Sequence, residues 1–72
     1  MTKQDEMRNR ESCWNKAKDN EVIFVLRGQD YSSPKAIMFW IMENLTTTPE
    51  AKLRDAFNAA MAMKAQSRKA PD

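Results

Sequence analysis

A chain of 72 residues with one cysteine, no histidine and a net charge of +2 excludes several functional classes at once. No intrachain disulfide can form, no zinc-type ligand set exists, and the charge is too mild to mark a nucleic-acid binder. A domain this small usually draws on metals, disulfides or oligomerisation to complete its core, and only oligomerisation is left.

Residues 1–11 (MTKQDEMRNRE) carry no sustained apolar periodicity and read as a flexible lead-in with at most a helical turn near Met7. Residues 12–66 then form a single compact domain. Ser12 has the chemistry of an N-cap, and Cys13 to Lys18 follow as a short helix. Cys13, Trp14 and Ala17 share a face at helical spacing and are expected to point inward. Asp19-Asn20 ends this helix as a turn.

Val22-Ile23-Phe24-Val25-Leu26 is a run of five apolar residues, three of them β-branched. It predicts a strand covered on both faces. No second segment has this character, and a buried strand must pair its backbone groups. The expected fold class is therefore α+β: a small α-β-α-α protomer whose central strand pairs across a homo-oligomer interface.

Gly28, the only glycine, ends the strand, where it supplies a positive φ or a close backbone approach. Ser33-Pro34 is a helix start, serine capping and proline in the first position. The second helix is expected from Pro34 to Leu45. Its stretch Ala36 to Met42 has no polar face, which predicts burial all round. Thr48-Pro49-Glu50 repeats the start signal for a third helix, Pro49 to Gln66. There Leu53, Ala56, Phe57, Ala60, Met61 and Lys64 line one face, while Lys52, Arg54, Asp55 and Asn58 meet water. Residues 67–72 (SRKAPD) read as a flexible tail.

Classical catalysis finds no support, since no Ser-His or Cys-His pairing is possible and no Gly-rich phosphate loop exists. No cofactor is expected, and Cys13 reads as packed core. The candidate ligand site is the polar corner of Arg27, Gln29, Asp30, Tyr31 and Ser32, ahead of a helix N-terminus. Arg27 suits bidentate phosphate or carboxylate recognition; Lys16 and Asn15 are candidates to join it from the first helix. The competing reading is an Arg27–Asp30 pair that only pins the turn. Trp14, Phe39 and Trp40 are capable of stacking on bases, but aromatics at helical spacing in an apolar run are first of all core or interface. Val22, Phe24, Leu26, Met38, Phe39, Trp40 and Met42 are the expected interface residues. Lys52, Arg54, Lys64, Arg68 and Lys69 read as a solvated charged face interrupted by Glu50 and Asp55.

The residues Ser12-Cys13-Trp14-Asn15-Lys16-Ala17, then Phe24-Val25-Leu26-Arg27-Gly28-Gln29-Asp30, then Pro34 and Trp40 carry a resemblance over about half the chain. They resemble a family of very small bacteriophage and prophage proteins with the pattern SC-x-NKA, FVLRAxD, AP-x-x-V-x-x-WA. This chain departs from it with Gly28 in place of alanine, Ser33 before the proline, and Ile41 after the tryptophan. The resemblance implies phage origin and an accessory role, without supplying a reaction.

The sequence reading is thus a non-enzymatic accessory protein for host takeover or anti-defence, acting by binding in the host bacterial cytoplasm. The single cysteine and the polar N-terminal residues point to that compartment, and the longest apolar run is too short for a bilayer. Its partners would be its own copies, as a dimer or higher even oligomer. Inter-subunit pockets would sequester a nucleotide-type immune signal through Lys16, Arg27, Gln29, Asp30 and Tyr31. An alternative is a protein-binding inhibitor of a host enzyme or defence complex anchored by Met38, Phe39 and Met42. A third is a nucleic-acid-binding accessory protein using the basic residues of the last helix.

Overall fold

A computed structural model describes residues 1–66, which form four helices. These are α1 (Lys3–Arg8), α2 (Cys13–Lys16), α3 (Ser33–Glu43) and α4 (Glu50–Gln66). Among the described residues there is no strand, only an isolated bridge at Asp30. The expected α+β protomer with a central strand is therefore corrected to an all-helical one. Val22 to Arg27 run as irregular chain between α2 and α3, and Val22 is 95% exposed and Phe24 88%. The physical reason is the one that made the strand unusual. Strand propensity reports fit to a half-buried pleated surface, and no second segment offers that surface or a ladder.

The N-terminal residues, expected as a flexible lead-in, form α1. Thr2 caps it: its hydroxyl accepts from the Asp5 amide at 3.1 Å, and the Asp5 carboxylate accepts from the Thr2 amide at 3.2 Å. This reciprocal capping box satisfies two orphan donors. The other end of α1 is closed from α2. The Asn15 side-chain amide donates to the carbonyls of Glu6 (3.0 Å), Met7 (3.0 Å) and Asn9 (2.8 Å), and the Ser12 hydroxyl also donates to Glu6. Ser12 caps α2 as expected, accepting from the Asn15 amide at 3.2 Å. The expected inward stripe of this helix is not formed, since Cys13 and Trp14 are exposed and only Ala17 is half-buried. At four residues, α2 serves its polar ties to α1 instead of presenting an apolar face.

α3 and α4 form an antiparallel-type helical hairpin through a short connection, residues 44–49. Asn44 closes α3, its side-chain amide donating to the Trp40 backbone carbonyl at 2.7 Å while its side-chain oxygen Oδ1 accepts from the hydroxyls of Thr47 and Thr48. Thr48 thus supports the turn where a cap of α4 is expected, and α4 begins one residue later than expected, with the Pro49 carbonyl accepting from the Leu53 amide. α3 and α4 pack together, and Ile41 of α3 with Ala56 and Ala60 of α4 are buried, as is Pro34 at the head of α3. Leu53, Ala59 and Met63 flank them half-buried, whereas Phe57 and Met61, expected inward, are largely exposed.

α3 is not buried all round. Phe39 is 65% and Met42 68% exposed, because α4 covers one side only.

Candidate functional site

The polar corner is built by two consecutive turns leading into α3. The Asp30 amide donates to the Arg27 carbonyl at 3.1 Å, and the Ser33 amide donates to the Asp30 carbonyl at 3.0 Å. Ser33, expected as the N-cap, is instead the first helical residue and almost fully buried; Ser32 occupies the cap position and makes no side-chain cap bond. The Ser33 hydroxyl donates to the Arg27 carbonyl at 2.8 Å, tying the corner to the helix that follows it.

Gly28 rests on the last turn of α4. A β-carbon there would lie 2.6 Å from Oε1 of Gln66 and 3.5 Å from Cγ of Met63. Its φ is not positive, so close approach, not backbone handedness, is what the glycine provides. The corner is thereby bonded to Ser33 and lies against side chains at the end of α4.

On this scaffold Arg27, Gln29 and Tyr31 are exposed and Asp30 is half-buried. Four of the five expected ligand residues therefore share one corner. The fifth, Lys16, comes from α2. It is engaged with Glu11 in an exposed ion pair at 3.2 Å and lines a different feature, an open groove of about 1260 Å³. Asn15, the other candidate from α2, is committed to closing α1.

That groove runs between the α1–α2 hairpin and the α3–α4 hairpin. Phe24, Leu26, Ile37 and Trp40 supply apolar lining, and Asp5, Glu6, Glu11, Lys16, Lys52 and Asp55 supply charge. The expected interface residues consequently divide. Phe24, Leu26 and Trp40 belong to the groove, while Met38, Phe39 and Met42 lie outside it on α3. Of the groove's N-terminal wall, sequence reasoning found the Ser12-capped α2 but read α1 as no more than a turn. The Thr2–Asp5 spacing, a short form of the capping box, is the signal that reveals it.

The electrostatics at α1 have one clear perturbation. Asp5 is held below the ordinary aspartate value, first by the hydrogen bond from the Thr2 amide, then by the Thr2 hydroxyl and the N-terminal ammonium. Among the described residues no group of histidine, cysteine and carboxylate side chains is placed to hold a metal ion. No described helix is long and apolar enough to cross a membrane. Lys52, Arg54 and Lys64 are exposed on α4, with Arg54 paired to Glu50 at 2.7 Å; Arg68 and Lys69 lie outside the described residues.

No protein-family model, no curated protein and no solved structure matches this chain.

Proposed function

We propose that this chain is an accessory protein that acts by binding, not by catalysis, and that its ligand is an anionic, nucleotide-type small molecule met at the 27–31 corner. The single observation that supports this reading is the presentation of Arg27, Gln29 and Tyr31 on a corner anchored by the Ser33–Arg27 hydrogen bond. Arg27 would grip phosphate bidentately. Gln29 would read base or ribose edges, Tyr31 would stack, and Asp30 would orient the group that lies deepest. Lys16 is left out, because it belongs to the groove.

The resemblance to small phage and prophage proteins supplies the setting: host takeover or anti-defence in the bacterial cytoplasm, with a homo-oligomer as the working form. Native mass spectrometry of the protein purified from bacterial cells, followed by titration with mono- and dinucleotides, tests it. Added mass of nucleotide size is expected. An Arg27→Ala protein should bind about tenfold or more weakly, as expected for a charge-assisted hydrogen-bond pair. A folded Arg27→Ala protein that binds such ligands unchanged overturns the reading.

A second reading is favoured by the exposed apolar residues of α3. Phe39 and Met42 are the side-chain types that anchor protein interfaces, and they support a protein-binding inhibitor of a host enzyme or defence complex.

A further inference from the structure

We infer that the outer face of α3 is the surface on which a second copy of this chain docks, the two α3 helices crossing antiparallel about a two-fold axis. The inference rests on the homo-oligomeric form proposed above and assigns it a surface made of side chains.

At 100° per residue, Lys35, Phe39, Met42 and Glu43 fall on one side of α3, roughly opposite Ile37 and Ile41. The side facing α4 is settled by Ile41, which is buried, and by Ile37, which is half-buried. The four residues of the outer side are all exposed. Their arrangement is an apolar centre, Phe39 and Met42, with a cation at one end and an anion at the other. Lys35 and Glu43 are also the only charged residues of the helix. The eight-residue separation spans ~12 Å along the axis.

Such a face is complementary to itself. A two-fold interface apposes the same patch on both subunits, so that residue i of one meets residue j of its partner and the reverse. In an antiparallel crossing Lys35 meets the partner's Glu43 at both ends, and the Phe39 and Met42 side chains fill the centre. A parallel crossing would bring like charges together and is disfavoured.

The described apolar core of the protomer, Ile41, Ala56 and Ala60, is small for a chain of this length, and burial of Phe39 and Met42 against a second copy adds to it. A second copy is the one partner present wherever the chain is made, and a net charge of +2 opposes self-association only weakly.

Light scattering of the full chain across a concentration series, combined with charge reversal, tests this. The wild type is expected as a dimer or larger assembly. Lys35→Glu and Glu43→Lys should each weaken association about tenfold, since each places like charges at both ends of the interface. Mixing these two single variants should restore association, because the two reversed side chains then meet at one end of the interface while the native Lys35 of one variant meets the native Glu43 of the other. Phe39→Glu should yield a monomer with the helical circular dichroism retained, as Phe39 is not core. A wild type that is monomeric throughout overturns both the oligomeric form and the surface. An assembly insensitive to the charge reversals, or one that mixing fails to restore, overturns the surface alone. Nucleotide titration of the same proteins reads the ligand proposal separately.

Discussion

The Ser33 hydroxyl donates to the Arg27 carbonyl across six residues at 2.8 Å, so the first residue of α3 fixes the corner before it instead of capping its own helix. The carbonyl is shared with the Asp30 amide at 3.1 Å. One oxygen therefore closes the first turn and ties it to the head of α3, and Ser33 reaches it from a position that water hardly touches.

Ser33→Ala should cost about 1–2 kcal/mol, the usual range when a buried hydrogen-bond partner is removed. Urea unfolding followed by circular dichroism measures it. Because the lost bond anchors the corner, Ser33→Ala should also weaken any ligand that Arg27 holds while Arg27 itself is intact. Ser33→Thr keeps the hydroxyl and should retain more of both than alanine does.

Asn15 gives a second, spatially separate prediction. Its amide closes the last turn of α1 through three carbonyls, the kind of terminal satisfaction that a helix end requires. Asn15→Ala should destabilise the α1–α2 hairpin by about 1 kcal/mol. Amide hydrogen exchange should show lost protection over residues 3–16 and unchanged protection in α3 and α4, since the Asn15 bonds lie wholly within the first hairpin and the helices that pack together are α1 with α2 and α3 with α4. Loss of protection along α4 as well would refute that independence.

The α1 cap should also respond to acid. Asp5 has a folded value lowered by its Thr2 hydrogen bonds, so its contribution to stability is present above the ordinary aspartate value. It is lost as pH falls from there through the depressed folded value. Chemical shifts of Thr2 and Asp5 followed through an acid titration should report the cap opening in that window. Asp5→Asn should remove this pH dependence, leaving the remainder of the chain's acid response in place.

Parts of this fold were legible in the residues themselves. Ser12 capping α2 and the extent of α4 follow from side-chain chemistry acting within one turn. Of the two roles expected of Gly28, its φ is not positive, and what lies against it is the flexible end of the Gln66 side chain, not backbone. The failures have one cause in common: they required knowing what lies opposite. Val22 to Leu26 have strand composition, but composition does not supply a ladder. The apolar run Ala36 to Met42 was expected to be covered all round, yet α4 has one face to offer and its buried residues there are two alanines. Trp14 and Cys13 share an apolar stripe by spacing, but α2 is too short to be docked by it. At the candidate site, the grouping of Arg27, Gln29, Asp30 and Tyr31 was readable because they are neighbours in sequence. Exclusion of Lys16 was not, since it depends on where α2 lies.

The pairing of each helix with its neighbour along the chain has a consequence for how the protein reaches its working form. α1 meets α2 and α3 meets α4 across short connections, so little chain entropy opposes either closure. Both hairpins should be complete on a fast, unimolecular timescale, well before two molecules meet. In the proposed dimer, burial of Phe39 and Met42 falls to a later, second-order encounter. The rate at which that face would leave solvent is then set by protein concentration, so the interval in which it stays exposed shortens as expression rises.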